Sequence, residues 1–195
     1  SGWHQPSELM AWQRALPRSY GTYRADFHND GIEDLIVAAN RGDVSESGEQ
    51  IWLLRGLPGG FASAESALST EGDSGPRVLP VDLDADGWLD LFVLHGWHTT
   101  DNFRHNVPVN ADEQRNILLM NNGGVFTHDH GAAGLEGTAW SRSPALGDLN
   151  RDGFVDVIVG NADGKPYVYL NGCDDRPWLT VQLRDSTSNR HAVGA

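Results

Sequence analysis

The chain has 195 residues, of which 39% are hydrophobic and 21% are charged. This composition is typical of a globular protein with a buried core and excludes a largely disordered chain. The formal net charge is −13, from 27 acidic and 14 basic residues, so a nucleic-acid backbone or an anionic membrane surface would repel the protein. No segment reaches the roughly 20 apolar residues of a membrane span. We therefore expect neither a nucleic-acid partner nor direct membrane insertion.

The first structural unit begins with an acidic loop at residues 26–34, which reads Asp-Phe-His-Asn-Asp-Gly-Ile-Glu-Asp. An apolar run follows it directly at residues 35–39, and a second apolar run comes at residues 51–54. The turn Pro58-Gly59-Gly60 and a short run around Phe61 complete the unit. Short apolar runs bounded by Gly, Asn and Pro predict antiparallel hairpins.

The same order of loop, run, run and turn occurs twice more. The loops begin at Asp26, Asp82 and Asp148, which are 56 and 66 residues apart. Spacings of this size indicate a repeat architecture. The second unit has its loop at residues 82–90, runs at 91–94 and 117–120, its turn at 121–124 and a short run at 125–126; the third has its loop at 148–156, runs at 157–159 and 167–170, and its turn at 171–172.

A further strand is predicted in front of each loop, as at residues 77–81 and 143–147. Each unit then has about four antiparallel strands, which is the composition of a β-propeller blade. One blade cannot bury both of its faces, and propellers contain about 4–8 blades. The sequence therefore predicts an all-β fold of about three blades that forms part of a larger propeller, completed by further sequence or by another chain.

Each loop presents oxygen atoms at alternate positions, as a calcium site requires. Calcium takes about 6–8 oxygen ligands from carboxylates and carbonyls. Side chains at loop positions 1, 3, 5 and 9 and the carbonyl at position 7 can converge, and Gly at position 6 permits the sharp turn. The predicted metal ligands are Asp26, His28, Asp30, Ile32 and Asp34 in the first loop, Asp82, Asp84, Asp86, Trp88 and Asp90 in the second, and Asp148, Asn150, Asp152, Phe154 and Asp156 in the third.

An EF-hand loop opens with the same spacing but requires a bidentate Glu at position 12 and a helix after it. Position 12 is Val37, Val93 or Val159 here, and each valine lies in a β-rich run. The EF-hand is therefore excluded at the same position in all three copies.

The three loops differ in their expected affinity for calcium. We predict calcium at the second and third loops, with weaker binding at the third, where Asn150 replaces one carboxylate. The first loop has His28 at position 3, and an imidazole nitrogen is a poor ligand for a hard cation. Two alternatives stay open for that loop: water takes the place of the side chain, or the site is empty.

The repeats resemble FG-GAP/VCBS repeats, the calcium-loop blades of integrin-α-type propellers. Residues 116–135 and 139–148 are similar to the corresponding segments of the ASPIC/UnbV type of protein. The tail, residues 178–195, is similar to the opening of the ASPIC/UnbV module that follows such propellers. The resemblance divides the chain into propeller blades at residues 1–176 and the truncated start of an ASPIC/UnbV-like β module at residues 177–195.

The resemblance implies a calcium-binding protein that is extracellular, periplasmic or on the cell surface and has a role in adhesion or recognition; it does not imply an enzymatic activity. We therefore predict a non-catalytic module for protein interaction, adhesion or a structural role, with a protein partner or a larger complex. No Ser/His/Asp order or phosphate-binding loop points to an active site. Three alternatives stay open: a carbohydrate-binding propeller, with Trp97 as the residue to test for contact with a glycan; a polysaccharide lyase or hydrolase on the same scaffold; and an accessory subunit of a large extracellular or membrane-associated complex.

Overall fold

The computed structural model describes residues 18–40, 49–62, 66–70, 77–96, 115–129, 133–135, 137–162 and 164–172, together with residues 179 and 181. Trp97 and nearly all of segment 177–195 lie outside these residues. The predicted division at residue 176 therefore stays a prediction.

The first repeat forms a four-stranded antiparallel sheet, sheet 1. Its strand order is β1-β2-β3-β6, and a small hairpin, β4-β5, lies between β3 and β6 in the chain. The acidic loop joins β1 to β2, as the sequence predicts. The strands are β1 at Arg18–Ala25, β2 at Asp34–Asn40, β3 at Glu49–Leu54, β4 at Gly56–Leu57, β5 at Gly60–Phe61 and β6 at Ser66–Thr70.

The second and third repeats form two further antiparallel sheets. Sheet 2 has the order β10-β9-β8-β7, with β7 at Arg77–Val81, β8 at Asp90–Leu94, β9 at Ile117–Asn122 and β10 at Val125–His128. Sheet 3 has the order β11-β12-β13 within the described residues, with β11 at Ser141–Gly147, β12 at Asp156–Asn161 and β13 at Tyr167–Tyr169. The predicted all-β fold of small antiparallel sheets is confirmed.

The turn between β9 and β10 shows how the sequence determines a hairpin. Its two central residues, Gly123 and Gly124, have φ values of 67° and 86°. A two-residue turn with both φ values positive is the type I′ turn, whose twist matches that of the strands. Glycine adopts these angles without a steric penalty.

The hydrophobic core lies between successive sheets. Because side chains alternate along a strand, β8 can contribute to two interfaces. Leu91 and Val93 pack in a buried cluster with residues of sheet 1, whereas Phe92 and Leu94 pack with Val157 and other residues of sheet 3. The sheets therefore stack face to face, with β8 buried on both sides.

Candidate metal centre

The three acidic loops, which we call loop 1 (residues 26–34), loop 2 (82–90) and loop 3 (148–156), share one backbone conformation. Position 6 is Gly31, Gly87 or Gly153, with φ values of 82°, 92° and 92°. Position 4 also has a positive φ although it is never glycine: 49° at Asn29, 57° at Ala85 and 64° at Arg151. Such angles cost a non-glycine residue roughly 1–2 kcal/mol. Because a positive φ value recurs at position 4 in all three loops, this loop conformation requires it.

Hydrogen bonds from the backbone hold the carboxylates of each loop in place. In loop 2, Asp82 accepts the backbone N–H groups of Asp86 at 3.2 Å and Gly87 at 3.1 Å. Asp86 in turn accepts the N–H group of Trp88 at 2.8 Å. Loops 1 and 3 repeat these three bonds at the equivalent positions. The loop backbone thus orients the side chains at positions 1 and 5.

The aspartate at position 9 has a different environment from the others. Asp34, Asp90 and Asp156 are fully buried, and we call them the anchor aspartates. One oxygen of each accepts the N–H group of position 2, at 2.8, 2.9 and 2.6 Å. The other oxygen accepts an N–H group from the end of the third strand of the same sheet or from just after that strand. The donors are Gly56, Asn121 and Asn171, at 2.7, 2.9 and 2.8 Å. Each anchor therefore ties its loop to its own sheet.

Loop 2 brings three carboxylates together. Asp82, Asp84 and Asp86 each offer an oxygen, and these oxygens lie within 4.8 Å of one another. Ligand oxygens stand 2.3–2.6 Å from calcium, so two oxygens on opposite sides of one ion are about 5 Å apart. The donor type and the spacing of loop 2 therefore fit a calcium ion.

The electrostatics of loop 2 also favour a cation. Burial raises the pKa of Asp84, and the charge of Asp86 raises it further. Burial raises the pKa of Asp90 to about 6, with smaller contributions from Asp84 and Asp82. Carboxylates that are buried, and that lie close to other carboxylates, resist ionisation unless a positive charge joins them. A bound cation would relieve this repulsion.

The other two loops do not show such a group within the described residues. In loop 1, Asp30 pairs with Arg55 at 3.0 Å, and His28 Nδ1 lies 2.8 Å from Asp34 Oδ2. In loop 3, the Asn150 amide donates to Asp152 Oδ2 at 2.7 Å. The ligand sets of these loops, the carbonyls of Ile32, Trp88 and Phe154, and the anchor aspartates as ligands stay predictions.

Two kinds of residue that contact the loops were not predicted from the sequence. Arg55 contacts loop 1 from 25 residues further along the chain. Asn121 and Asn171, read only as turn residues, connect neighbouring repeats, and we call them the bridging asparagines. The Asn121 amide donates to Phe27 O at 3.0 Å, and the Asn171 amide donates to Leu83 O at 2.6 Å. Phe27 and Leu83 both occupy position 2 of the preceding loop, so the two bonds are equivalent. The recurrence of Asn at the end of the second predicted run was the available signal.

Stacked antiparallel sheets with one acidic loop each define a β-repeat protein. Residues 26–93 match the FG-GAP-like repeat family, and residues 140–172 match the FG-GAP repeat family. The chain therefore contains FG-GAP-type repeats, which typically build non-catalytic propellers. This part of the predicted resemblance is confirmed, whereas the ASPIC/UnbV type stays a prediction. No curated protein matches the chain.

Proposed function

We propose that this chain is a non-catalytic calcium-binding part of a β-propeller that serves protein interaction, adhesion or a structural role outside the cytoplasm. The observation that supports it most is the convergence of Asp82, Asp84 and Asp86 in loop 2. The same loop backbone recurs in loops 1 and 3. Within the described residues, no helix is long and apolar enough to cross a membrane.

Calcium in this proposal binds loops 2 and 3 and stabilises the blades. At a calcium concentration of about ten times Kd, each site adds roughly 1.4 kcal/mol to the free energy of unfolding. Weak sites of this kind suit the millimolar calcium found outside cells, where extracellular modules bind with Kd values of about 10⁻⁴–10⁻³ M. The proposed location outside the cytoplasm therefore rests on the proposed weak affinity of the sites.

The exposure of sheet 3 supports membership of a larger propeller. Position 2 of the loop is 0% exposed at Phe27 and 8% at Leu83, where the next sheet covers it, but 48% exposed at Leu149. Leu118 and Val168 are also equivalent residues, because each lies three positions before a bridging asparagine. Leu118 is 5% exposed, whereas Val168 is 55% exposed. A further blade with its own bridging asparagine would cover both residues and donate to Leu149 O.

The calcium sites can be tested with Asp86→Ala. Loss of a ligand at position 5 should remove one bound ion per chain. Because 1 kcal/mol shifts Tm by about 2–4 °C in a chain of this size, loss of one site worth roughly 1.4 kcal/mol should reduce the rise in Tm on adding calcium by about 3–6 °C. Calcium titration and thermal unfolding measure both effects. Asp129→Ala, which changes an aspartate outside the loops, should keep the parent's ion count; an Asp86→Ala variant that also keeps it would contradict the assignment of loop 2.

The interaction role needs a separate experiment. The chain is immobilised in millimolar calcium, exposed to an extract of its native source, and eluted with a chelator. A stoichiometric protein in the eluate would support a calcium-dependent partner. The control is the chain with Asp86→Ala and Asp152→Ala, which should release no such protein. Recovery of a glycan instead would favour the carbohydrate-binding alternative.

A further inference from the structure

Loop 1 is distinguished from loops 2 and 3, within the part of the chain that the structure describes, by a positively charged side chain that pairs with its position-5 carboxylate. The Arg55 guanidinium lies 3.0 Å from Asp30 Oδ2, and the other Asp30 oxygen accepts the N–H group of Ile32 at 3.0 Å. The hydrogen bond from Arg55 is the main cause that lowers the pKa of Asp30. Both oxygens of the position-5 carboxylate in loop 1 therefore have protein partners, and one of these partners is a cation. In loop 3 the equivalent partner of Asp152 Oδ2 is the neutral amide of Asn150.

The repeat identifies which residues are equivalent to Arg55. It directly precedes Gly56, whose N–H group binds the anchor aspartate of loop 1. The residues that directly precede the equivalent N–H groups in sheets 2 and 3 are Met120 and Leu170. Neither of these side chains can carry a charge. An arginine stands here only in the repeat whose loop lacks an oxygen ligand at position 3.

His28, the residue at position 3, contacts both the anchor aspartate of loop 1 and the turn of sheet 2. Its Nδ1 atom lies 2.8 Å from Asp34 Oδ2, and an ionised carboxylate can only accept a hydrogen bond. Its ring also packs against the turn of sheet 2, since a Cβ atom added at Gly124 would lie 2.8 Å from His28 Cδ2. Position 3 of loop 1 therefore contributes to packing between the sheets.

We propose that loop 1 holds no calcium, because Arg55 supplies at Asp30 the positive charge that a calcium ion supplies in loops 2 and 3. This inference rests on the proposed function, in which loops 2 and 3 bind calcium. A guanidinium bound to the position-5 carboxylate both occupies a ligand and repels a divalent cation. Loop 1 would then keep its structure when calcium is removed, whereas loops 2 and 3 would loosen.

Matched variants of the full chain test the inference by ion count. The parent should bind two calcium ions per chain, Asp86→Ala should bind one, and Asp30→Ala should still bind two. The double variant Arg55→Met, His28→Asp gives the first repeat the residues of the second repeat at the equivalent positions, Met120 and Asp84. This variant should bind a third ion. Arg24→Met, which changes an arginine paired with Glu33 outside the ligand positions, should leave the count at two.

The outcomes separate the inference from the proposed function. A parent that binds three ions, one of them lost in Asp30→Ala, would overturn the inference and leave the proposed function intact. A folded double variant that gains no ion would also overturn it. A parent that binds no calcium would instead contradict the proposed function. The Asp30→Ala comparison does not depend on the folding of the double variant.

Hydrogen exchange gives a second readout at two equivalent amides. The N–H groups of Ile32 and Trp88 bind the position-5 carboxylates of loops 1 and 2. On adding a chelator to the calcium-loaded parent, exchange at Trp88 should accelerate at least several-fold, and exchange at Ile32 should stay within twofold. Equal acceleration at both amides would contradict a metal-free loop 1.

Discussion

Replacing Asp34 by Asn should lower the free energy of unfolding by about 3 kcal/mol, although the side chain keeps its size. The Asp34 carboxylate is fully buried and accepts the N–H groups of Phe27 at 2.8 Å and Gly56 at 2.7 Å. An asparagine would turn its NH₂ group towards one of these donors. One hydrogen bond to a charged group, worth roughly 1.5–3 kcal/mol, would be lost, and a buried N–H group would be left unsatisfied.

The loss should be the same in calcium and in excess chelator, since the proposal leaves loop 1 without a metal ion. Urea unfolding of the full chain under both conditions measures it. Glu33→Gln is the matched control: Glu33 is the adjacent residue, exposed and paired with Arg24 at the surface. Surface changes of this kind usually stay within about 0.5 kcal/mol. An Asp34→Asn variant as stable as this control would show that the anchor bonds contribute little.

The strands and loops could be predicted because their signals are local. The apolar run at residues 35–39 lies within β2, and the run at 117–120 lies within β9. The glycines at position 6 of the loops and in the turn after β9 predicted the chain reversals, and the positive φ values explain why glycine stands there. Periodicity and turn chemistry act over a few residues, so they can be read without knowledge of tertiary contacts.

The different environments of the loop carboxylates could not be predicted from the sequence. Sequence spacing predicts Asp90 as a ligand beside Asp82, Asp84 and Asp86, which stays a prediction. It does not indicate that Asp90 is buried or that each of its oxygens accepts a backbone N–H group. Those donors include Asn121, 31 residues away. The pairing of the strands decides which distant backbone N–H group lies beside a given carboxylate. The contact between Arg55 and Asp30 could not be predicted either, because it also depends on how the strands pair.

The anchors and the bridging asparagines together connect the acidic loops to the packing of successive sheets. Asn121 donates its own N–H group to Asp90, the anchor of its own loop, and its side-chain amide to Phe27 O in the preceding loop. Asn171 repeats both contacts, with Asp156 and Leu83. A change in the order of one loop can therefore affect its junction with the next sheet. In the proposed function, a calcium ion bound to one loop would therefore stabilise that loop and its junction with the neighbouring sheet.

Removing the Asn121 side chain should lower the free energy of unfolding by about 2–4 kcal/mol and should loosen the junction between sheets 1 and 2. Its amide donates to Phe27 O at 3.0 Å and to Leu89 O at 3.1 Å, and its oxygen accepts the Gly124 N–H group at 2.9 Å. Asn121→Ala removes all three bonds of a residue that is only 2% exposed, and each bond is worth roughly 0.5–1.5 kcal/mol. The free energy of unfolding in urea measures the loss.

The neighbouring Asn122 provides the matched control for this prediction, because it is exposed and belongs to the same turn. Asn122→Ala should leave stability nearly unchanged, whereas Asn121→Asp should cost at least as much as Asn121→Ala. The aspartate keeps the shape of the side chain but presents a charged oxygen to two carbonyls beside the buried Asp90. Hydrogen exchange should then increase in both loop 1 and the turn after β9. If Asn121→Ala instead matched Asn122→Ala in stability and exchange, the sheets would be held together by their apolar faces alone.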